Sequence, residues 1–419
     1  MAGPQGTEFV TVFMQNYNPS YNNTYLQLFI TGYQTDTTAT VWVNKSNFKK
    51  NVILKQSSVS PTTIPPNFEL LGVSKSYNVV VVQSDKEISI TSMNFKALSA
   101  DTSVIYPVSS LGTEYYIVTP LNGPSDSFKE FAVVSAGEPT NVDIYLKGEV
   151  TFQEETYLAG SKLTVLLEAY NAIQLLSKDD LSGSRVVSQK PVAVLSGHTC
   201  SWKNTQCNHV YEQLLPVSSW DTTFIVPPIV YQTKTDIVFV AASQKTTINY
   251  QSGSTKESKA LSAGQVAVLD VEVKTPLFIS ASAGIQVIYY CTGWQDKLGT
   301  YDTTLINIPS INSYCSSYYL IGFQDFDNYG MLVARSEDVS KLTFNKKEMS
   351  GLSWSSIIGT EYSWSTQPLT KGFSFQMLEN PSSFLLLSYG TTQENNYGSQ
   401  AICKSLFLNY GYSFSTGYI

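Results

Sequence analysis

Apolar residues along this chain fall in short runs, rich in Val, Ile, Phe and Tyr and separated by Gly, Pro, Ser, Asn and Asp. Short β-branched and aromatic runs between turn residues predict strands. The runs come in a recurring order. Tyr106-Pro107-Val108-Ser109-Ser110 leads into Glu114-Tyr115-Tyr116-Ile117-Val118, and Leu215-Pro216-Val217-Ser218-Ser219 leads into Thr223-Phe224-Ile225-Val226. Ile308-Pro309-Ser310-Ile311 leads likewise into Tyr318-Tyr319-Leu320-Ile321, and the opening Thr7-Glu8-Phe9-Val10-Thr11 matches the second half of such a junction. After each junction a hairpin is expected, as in Glu130–Val134 with Asn141–Leu146, or Asp236–Val240 with Thr246–Tyr250. A Leu-Ala-Gly or Leu-Ser-Ala-Gly turn follows at Leu158 and Leu261. Each repeat then closes on a fully apolar run, Val192–Gly197, Ile285–Tyr290 or Phe384–Tyr389, which reads as a strand buried on both faces.

Self-similarity at this period is the mark of a tandem array. The fold class expected is all-β, about four β-sandwich-like units covering 7–110, 111–220, 221–312 and 313–419. Each has the length and strand number of one sandwich. A β-propeller is the alternative, although its blades hold four strands in about 40–50 residues. Thr164–Ser177 alone tempts a helix assignment, and its counterpart in the third unit reads as strand-turn-strand, so it too is assigned β.

Charged residues make up 14% of the 419 residues, well below the usual quarter. No charge block or long apolar stretch occurs, which excludes a disordered or helix-spanning membrane chain. A net charge of −7 with scattered lysines supplies no basic stripe for nucleic acid. The first residues lack a charged segment followed by an apolar one and are no signal peptide. We read them as the start of a trimmed mature chain. Asn22-Asn23-Thr24 and Asn44-Lys45-Ser46 are glycosylation sequons, which agree with secretion.

The chain's two histidines each stand two residues from a cysteine, in His198-Thr-Cys200 and Cys207-Asn-His209. Two thiolates and two imidazoles suit a structural zinc ion, and on extended backbone each His/Cys pair shares a face. The spacing is foreign to common zinc modules. The simpler reading is a disulfide from Cys200 to Cys207 that closes a small loop. Cys291, Cys315 and Cys403 remain; Cys291–Cys315 is the nearer pair, leaving Cys403 as the odd thiol, and Cys315–Cys403 is the other option. No nucleophile elbow, phosphate loop or metalloprotease helix occurs, and no catalytic residue or cofactor is assigned. Asp325-Phe-Asp327-Asn328-Tyr-Gly330 resembles the start of a calcium loop, without the downstream acid, and reads as a turn. Asp179-Asp180 is also a turn. Tyr17, Tyr21, Tyr25 and Tyr33 are candidates for an aromatic contact surface.

The stretch from Lys190 through Ser196-Gly197-His198-Thr199-Cys200 to Cys207-Asn208-His209-Val210-Tyr211-Glu212 closely resembles the amino-terminal domain of the IgGFc-binding protein family. Gly6–Thr11, Gln15-Asn16-Tyr17 and Asp180-Leu181-Ser182-Gly183 extend the likeness over nearly the whole chain. The resemblance implies a secreted mucus glycoprotein with immunoglobulin G Fc or mucin-type partners, and no membrane insertion. In that context the Cys200–Cys207 disulfide is favoured over zinc. The resemblance carries no Fc-contact residues. Three functions are expected in order: an extracellular binding module, a structural domain that associates with mucins or itself, and a carbohydrate-active enzyme, which would need two carboxylates facing each other across a cleft.

Overall fold

The computed structural model describes residues 4–17, 24–96, 99–120, 122–202, 207–229, 234–295, 300–321, 327–349, 351–369, 375–391, 396–400 and 402–403. They form an all-β protein with no α-helix among them, only five 3₁₀ turns. Residues 2–203 with 207–219 make one compact unit, and 220–419 make the bulk of a second. The segment once tempting as helix is two strands, Lys162–Leu167 and Ala172–Ser177.

Four sheets share one plan, each organised on a long strand: Val80–Lys96, Arg185–Ser201, Leu277–Cys291 and Phe375–Thr391. Each long strand bends at a corner and serves two layers. In the second sheet, Arg185–Ser188 pairs with Val142–Tyr145, whereas Val192–His198 pairs with Lys129–Ser135. In the third, Leu277–Ala281 pairs with Ile248–Ser252, whereas Ile285–Tyr290 pairs with Ile237–Ala242. The hairpins expected from sequence therefore do not form. Their two strands lie in opposite layers, and each pairs with a different half of the long strand.

The opening strand of every repeat straddles the same corner. Gly6 faces Ile88 while Glu8 faces Gln83, and Gly112 faces Val192 while Glu114 faces Val187. Asp221 and Thr223, then Cys315 and Ser317, do the same against Ile285/Ser280 and Phe384/Glu379. Corners read Ser-Asp-Lys-Glu, Ser-Gln-Lys-Pro, Ala-Ser-Ala-Gly and Asn-Pro-Ser-Ser, residue types that accept a bulge and tolerate a missing ladder bond. Three residues into the opening strand stand Phe9, Tyr115, Phe224 and Tyr318, all buried. Where the residue is tyrosine, its hydroxyl braces the corner. Tyr115 Oη accepts from Gly112 N–H and donates to Val192 O; Tyr318 Oη accepts from Cys315 N–H and donates to Phe384 O.

Leu26, Leu28, Val41, Val82 and Ile90 fill the first sandwich. A separate cluster joins the two sheets of the first unit, Val10, Val12 and Val81 meeting Ala132, Val134, Leu195 and Tyr211. In the second unit one continuous core runs from Phe224 to Tyr389. At about 1.5–3 kcal/mol for each large apolar side chain buried, these clusters carry most of the folding drive.

The first unit also buries polar groups where the strands Ser99–Ile105 and Asn208–Gln213 meet. The Asn208 amide accepts from Ala100 N–H at 2.8 Å and donates to Ala100 O at 2.7 Å, standing in for a neighbouring strand. Ser99 Oγ accepts from His209 N–H, and Ser103 Oγ from Gln213 N–H, each at 2.8 Å. Side chains thus satisfy backbone donors that no ladder reaches.

Candidate binding site at the disulfide loop

Cys200 and Cys207 are joined by a disulfide, with Cα atoms 5.1 Å apart. Their thiols are consumed, so the zinc alternative of His198, Cys200, Cys207 and His209 loses two ligands. No cluster of three metal-binding side chains occurs among the described residues. The histidines take other tasks. His198 Nδ1 accepts from Cys200 N–H at 3.1 Å, which pins the turn into the loop. His209 stacks on Tyr211 with ring centroids 5.1 Å apart, and its Nδ1 faces Glu130 Oε1 at 3.4 Å.

That His209–Glu130 contact has the geometry of an ion pair but not the charges. Burial pushes both imidazoles down to about 3, with nearby lysines adding to the effect. Burial also holds the Glu130 carboxyl well above the usual carboxylate range, reinforced by Glu69. At neutral pH the imidazole is therefore uncharged, and burial favours the protonated form of the acid it faces. Neither Glu130 oxygen has a hydrogen-bond partner among the described residues. Close by, Lys96 Nζ sits 2.7 Å from both Glu69 oxygens and donates to Asn16 O at 3.0 Å. Burial raises the Glu69 carboxyl even with Lys96 opposing. Asn16 N–H donates to Glu69 and Tyr17 N–H to Thr199 O, so two segments that carried the family resemblance are clamped together.

Outside this polar core the loop forms a surface cleft of about 270 Å³, lined by Asn122, Gly123, Ser125, Lys129, Lys178 and Trp202, with Pro124 and Ser127. Strand register sets its lysines. Lys129 opens a strand opposite both Ser177 and His198, and Lys178 follows Ser177 directly. Lys178 Nζ donates to Ser125 O and Ser127 O at 2.6 and 2.8 Å and lies 3.6 Å over the Phe128 ring. Partial burial lowers its pKa; Asp126 opposes this and Lys129 adds to it. Lys129 Nζ donates to Lys178 O at 2.9 Å, which keeps the two cations on one wall. Trp202, 44% exposed, forms another wall, held by its N–H to Asn122 O at 3.0 Å. Gly123 makes the approach feasible: a Cβ there would lie 2.4 Å from Cys200 O, His198 Cε1 and Ser127 Oγ.

The remaining expected site residues scatter. Cys291 is a buried thiol and Cys315 is in a disulfide, so the expected Cys291–Cys315 pair is not formed. The nearer pair in sequence fails because Cys291 ends the third long strand inside its core, whereas Cys315 opens the fourth sheet. Asn22, Tyr21 and Asp325 lie outside the described residues. Asn44 is half-buried, its Nδ2 donating to Tyr170 O at 2.7 Å. Asp327–Gly330 belongs to a strand, and Asp180 caps a turn by accepting from Ser182 N–H. Tyr17 donates to Asp126, Tyr33 pairs with Ser89, and half-exposed Tyr25 leans on Phe95. Sequence reading missed Lys129, Lys178 and the buried Glu69, Lys96 and Glu130. Trp202 inside the cysteine loop was the one visible signal.

Fold and site together define a repetitive β-sandwich module with a disulfide-fixed surface cleft. The IgGFc binding protein family matches residues 101–390, and the chain belongs to that family. It is 36% identical over 404 residues to the human (Homo sapiens) IgGFc-binding protein. The match takes in 96% of this chain but 8% of the length of that relative. No helix among the described residues is long and apolar enough to cross a membrane.

Proposed function

We propose that this chain is a non-enzymatic, extracellular binding module of mucus that recognises glycoprotein partners, immunoglobulin Fc first among them. Family membership over residues 101–390 carries the reading. The Cys200–Cys207 disulfide supports it, since such bonds persist in oxidising compartments. The cleft beside that bond presents an aromatic ring and hydrogen-bonding groups but no paired carboxylates in its lining, which suits binding better than glycoside hydrolysis.

The test is binding of the whole chain to immobilised Fc, intact and deglycosylated, beside purified mucin. Saturable binding to Fc or mucin is expected, and reducing the disulfide is expected to weaken it. A chain that is folded, oxidised and inert toward both would overturn the reading. Covalent self-association through Cys291 is disfavoured, because that residue is 1% exposed.

A further inference from the structure

We propose that the cleft between Trp202 and the Lys129/Lys178 wall binds the acidic end of a glycan, a terminal sugar carrying a carboxylate or sulfate. This deepens the binding-module reading and rests on it. Three features of the cleft select the ligand class. Among the described residues its lining holds two lysines and no carboxylate; Asp126, bonded by the Tyr17 hydroxyl at 2.9 and 3.0 Å, lies outside the lining and offsets part of their charge. Two ammonium groups on one wall favour an anion, and charge-assisted hydrogen bonds are about twice as strong as neutral ones. Trp202 offers a flat apolar face beside a polar wall, the arrangement that matches a sugar ring with one hydrophobic side. Asn122 and the serines add donors and acceptors for hydroxyls.

Size and rigidity point the same way. About 270 Å³ falls just short of the roughly 300–1,000 Å³ that drug-sized ligands occupy, and suits one sugar better than an extended chain. Much of the cleft is fixed beforehand: the Trp202 backbone by Asn122 O, Lys178 by two carbonyls, and Gly123 by its close approach to Cys200 O. Such preorganisation lowers the ordering cost of binding. A larger cleft of about 470 Å³ on the second unit makes the contrast. There Lys256 lies beside Glu257, whose carboxylate accepts from the Tyr250 hydroxyl, so no net positive field remains for an anion.

The experiment titrates the whole oxidised chain with sialyllactose, sulfated lactose and neutral lactose, followed by ligand-observed NMR. The two acidic probes are expected to bind with Kd of about 1 mM, and lactose about tenfold more weakly. Preference between the two separates carboxylate from sulfate as the natural group. Trp202→Leu and Lys129→Gln are each expected to lose about tenfold in affinity for the acidic probes, with thermal melting unchanged. Lys178→Gln is avoided as a first variant because it strips two loop carbonyls of their donor. Equal binding of lactose, no binding of either acidic probe, or full binding by folded Trp202→Leu would overturn the proposal. Fc binding measured on the same preparation keeps the outcomes apart. Fc binding retained without glycan binding sinks only the cleft assignment, and loss of both sinks the module reading.

Discussion

At the residue scale, buried ionisable groups set a pH profile whose sign follows from their directions. His198 and His209 are held at about 3 in the fold, against about 6.5 in an unfolded chain. Between those values the unfolded chain binds more protons, so acidification from about pH 6.5 downward destabilises the fold. Glu130 acts in the opposite sense. It keeps a proton in the fold that the unfolded chain releases above about 4.5, so its contribution is lost as pH rises past that point. Glu69, raised by burial, and Asp302, held at about 8, act in the same sense as Glu130, so the profile sets two histidines against three carboxyls. Glu130→Gln is expected to remove this residue's share of the alkaline decline, gaining stability relative to the native chain at pH 8 and not at pH 4. Urea unfolding at the two pH values checks this, and a variant less stable at pH 8 would show that the carboxyl is ionised and needed. Asn44 gives a second expectation. Its amide nitrogen is spent on Tyr170 O, so the sequon should be empty in secreted protein, as glycopeptide mass mapping would show. Occupancy would refute that expectation.

At the scale of elements, the disulfide holds one end of the strand Asn208–Gln213 against the second long strand, and with it the cleft. Replacing both cysteines by serine is expected to cost about 2–3 kcal/mol and to weaken ligand binding at Trp202 further than stability alone explains. Denaturant melts and the NMR titration read the two effects separately. For the last sheet, Cys403 is the expected partner of Cys315, which is in a disulfide. Their strands lie side by side, Tyr318 opposite Cys403. Non-reducing peptide mapping is expected to recover that link, and a Cys291–Cys315 peptide would refute it. Strand existence was legible in the sequence because β-branched and aromatic runs end at Gly, Pro and Ser. Pairing was not, since adjacent strands such as Lys129–Ser135 and Thr140–Tyr145 look like a hairpin whether they bond to each other or to halves of a bent third strand. The zinc-or-disulfide choice was visible as a choice only, because spacing alone suits either chemistry. Lys129 and Lys178 are far apart in sequence and ordinary in context, and only the register of three strands makes them neighbours.

At the scale of the whole molecule, the repeat was legible as a period of about a hundred residues, but not the cores that unite sheets in pairs. Val10, Val12 and Met14 read simply as part of an apolar opening segment, yet they line the cluster that joins the first two sheets. A chain ending at Ser219 is expected to fold by itself and to keep the pH profile of Glu130 and His209, since all those contacts lie within 2–219. Circular dichroism melts at pH 5 and 6.5 would check it; a molten product would mean that the first unit needs the second.

The bent long strand has a mechanical consequence. Tension along the backbone enters a repeat through its opening strand and leaves through its closing strand. In the first repeat both are laddered to Val80–Lys96, the opening strand across the corner and the closing strand beyond it. A pull on the two ends therefore strains both ladders at once, in place of unzipping one pair after another. In a gel that is stretched and sheared, such a module would yield as a block or not at all.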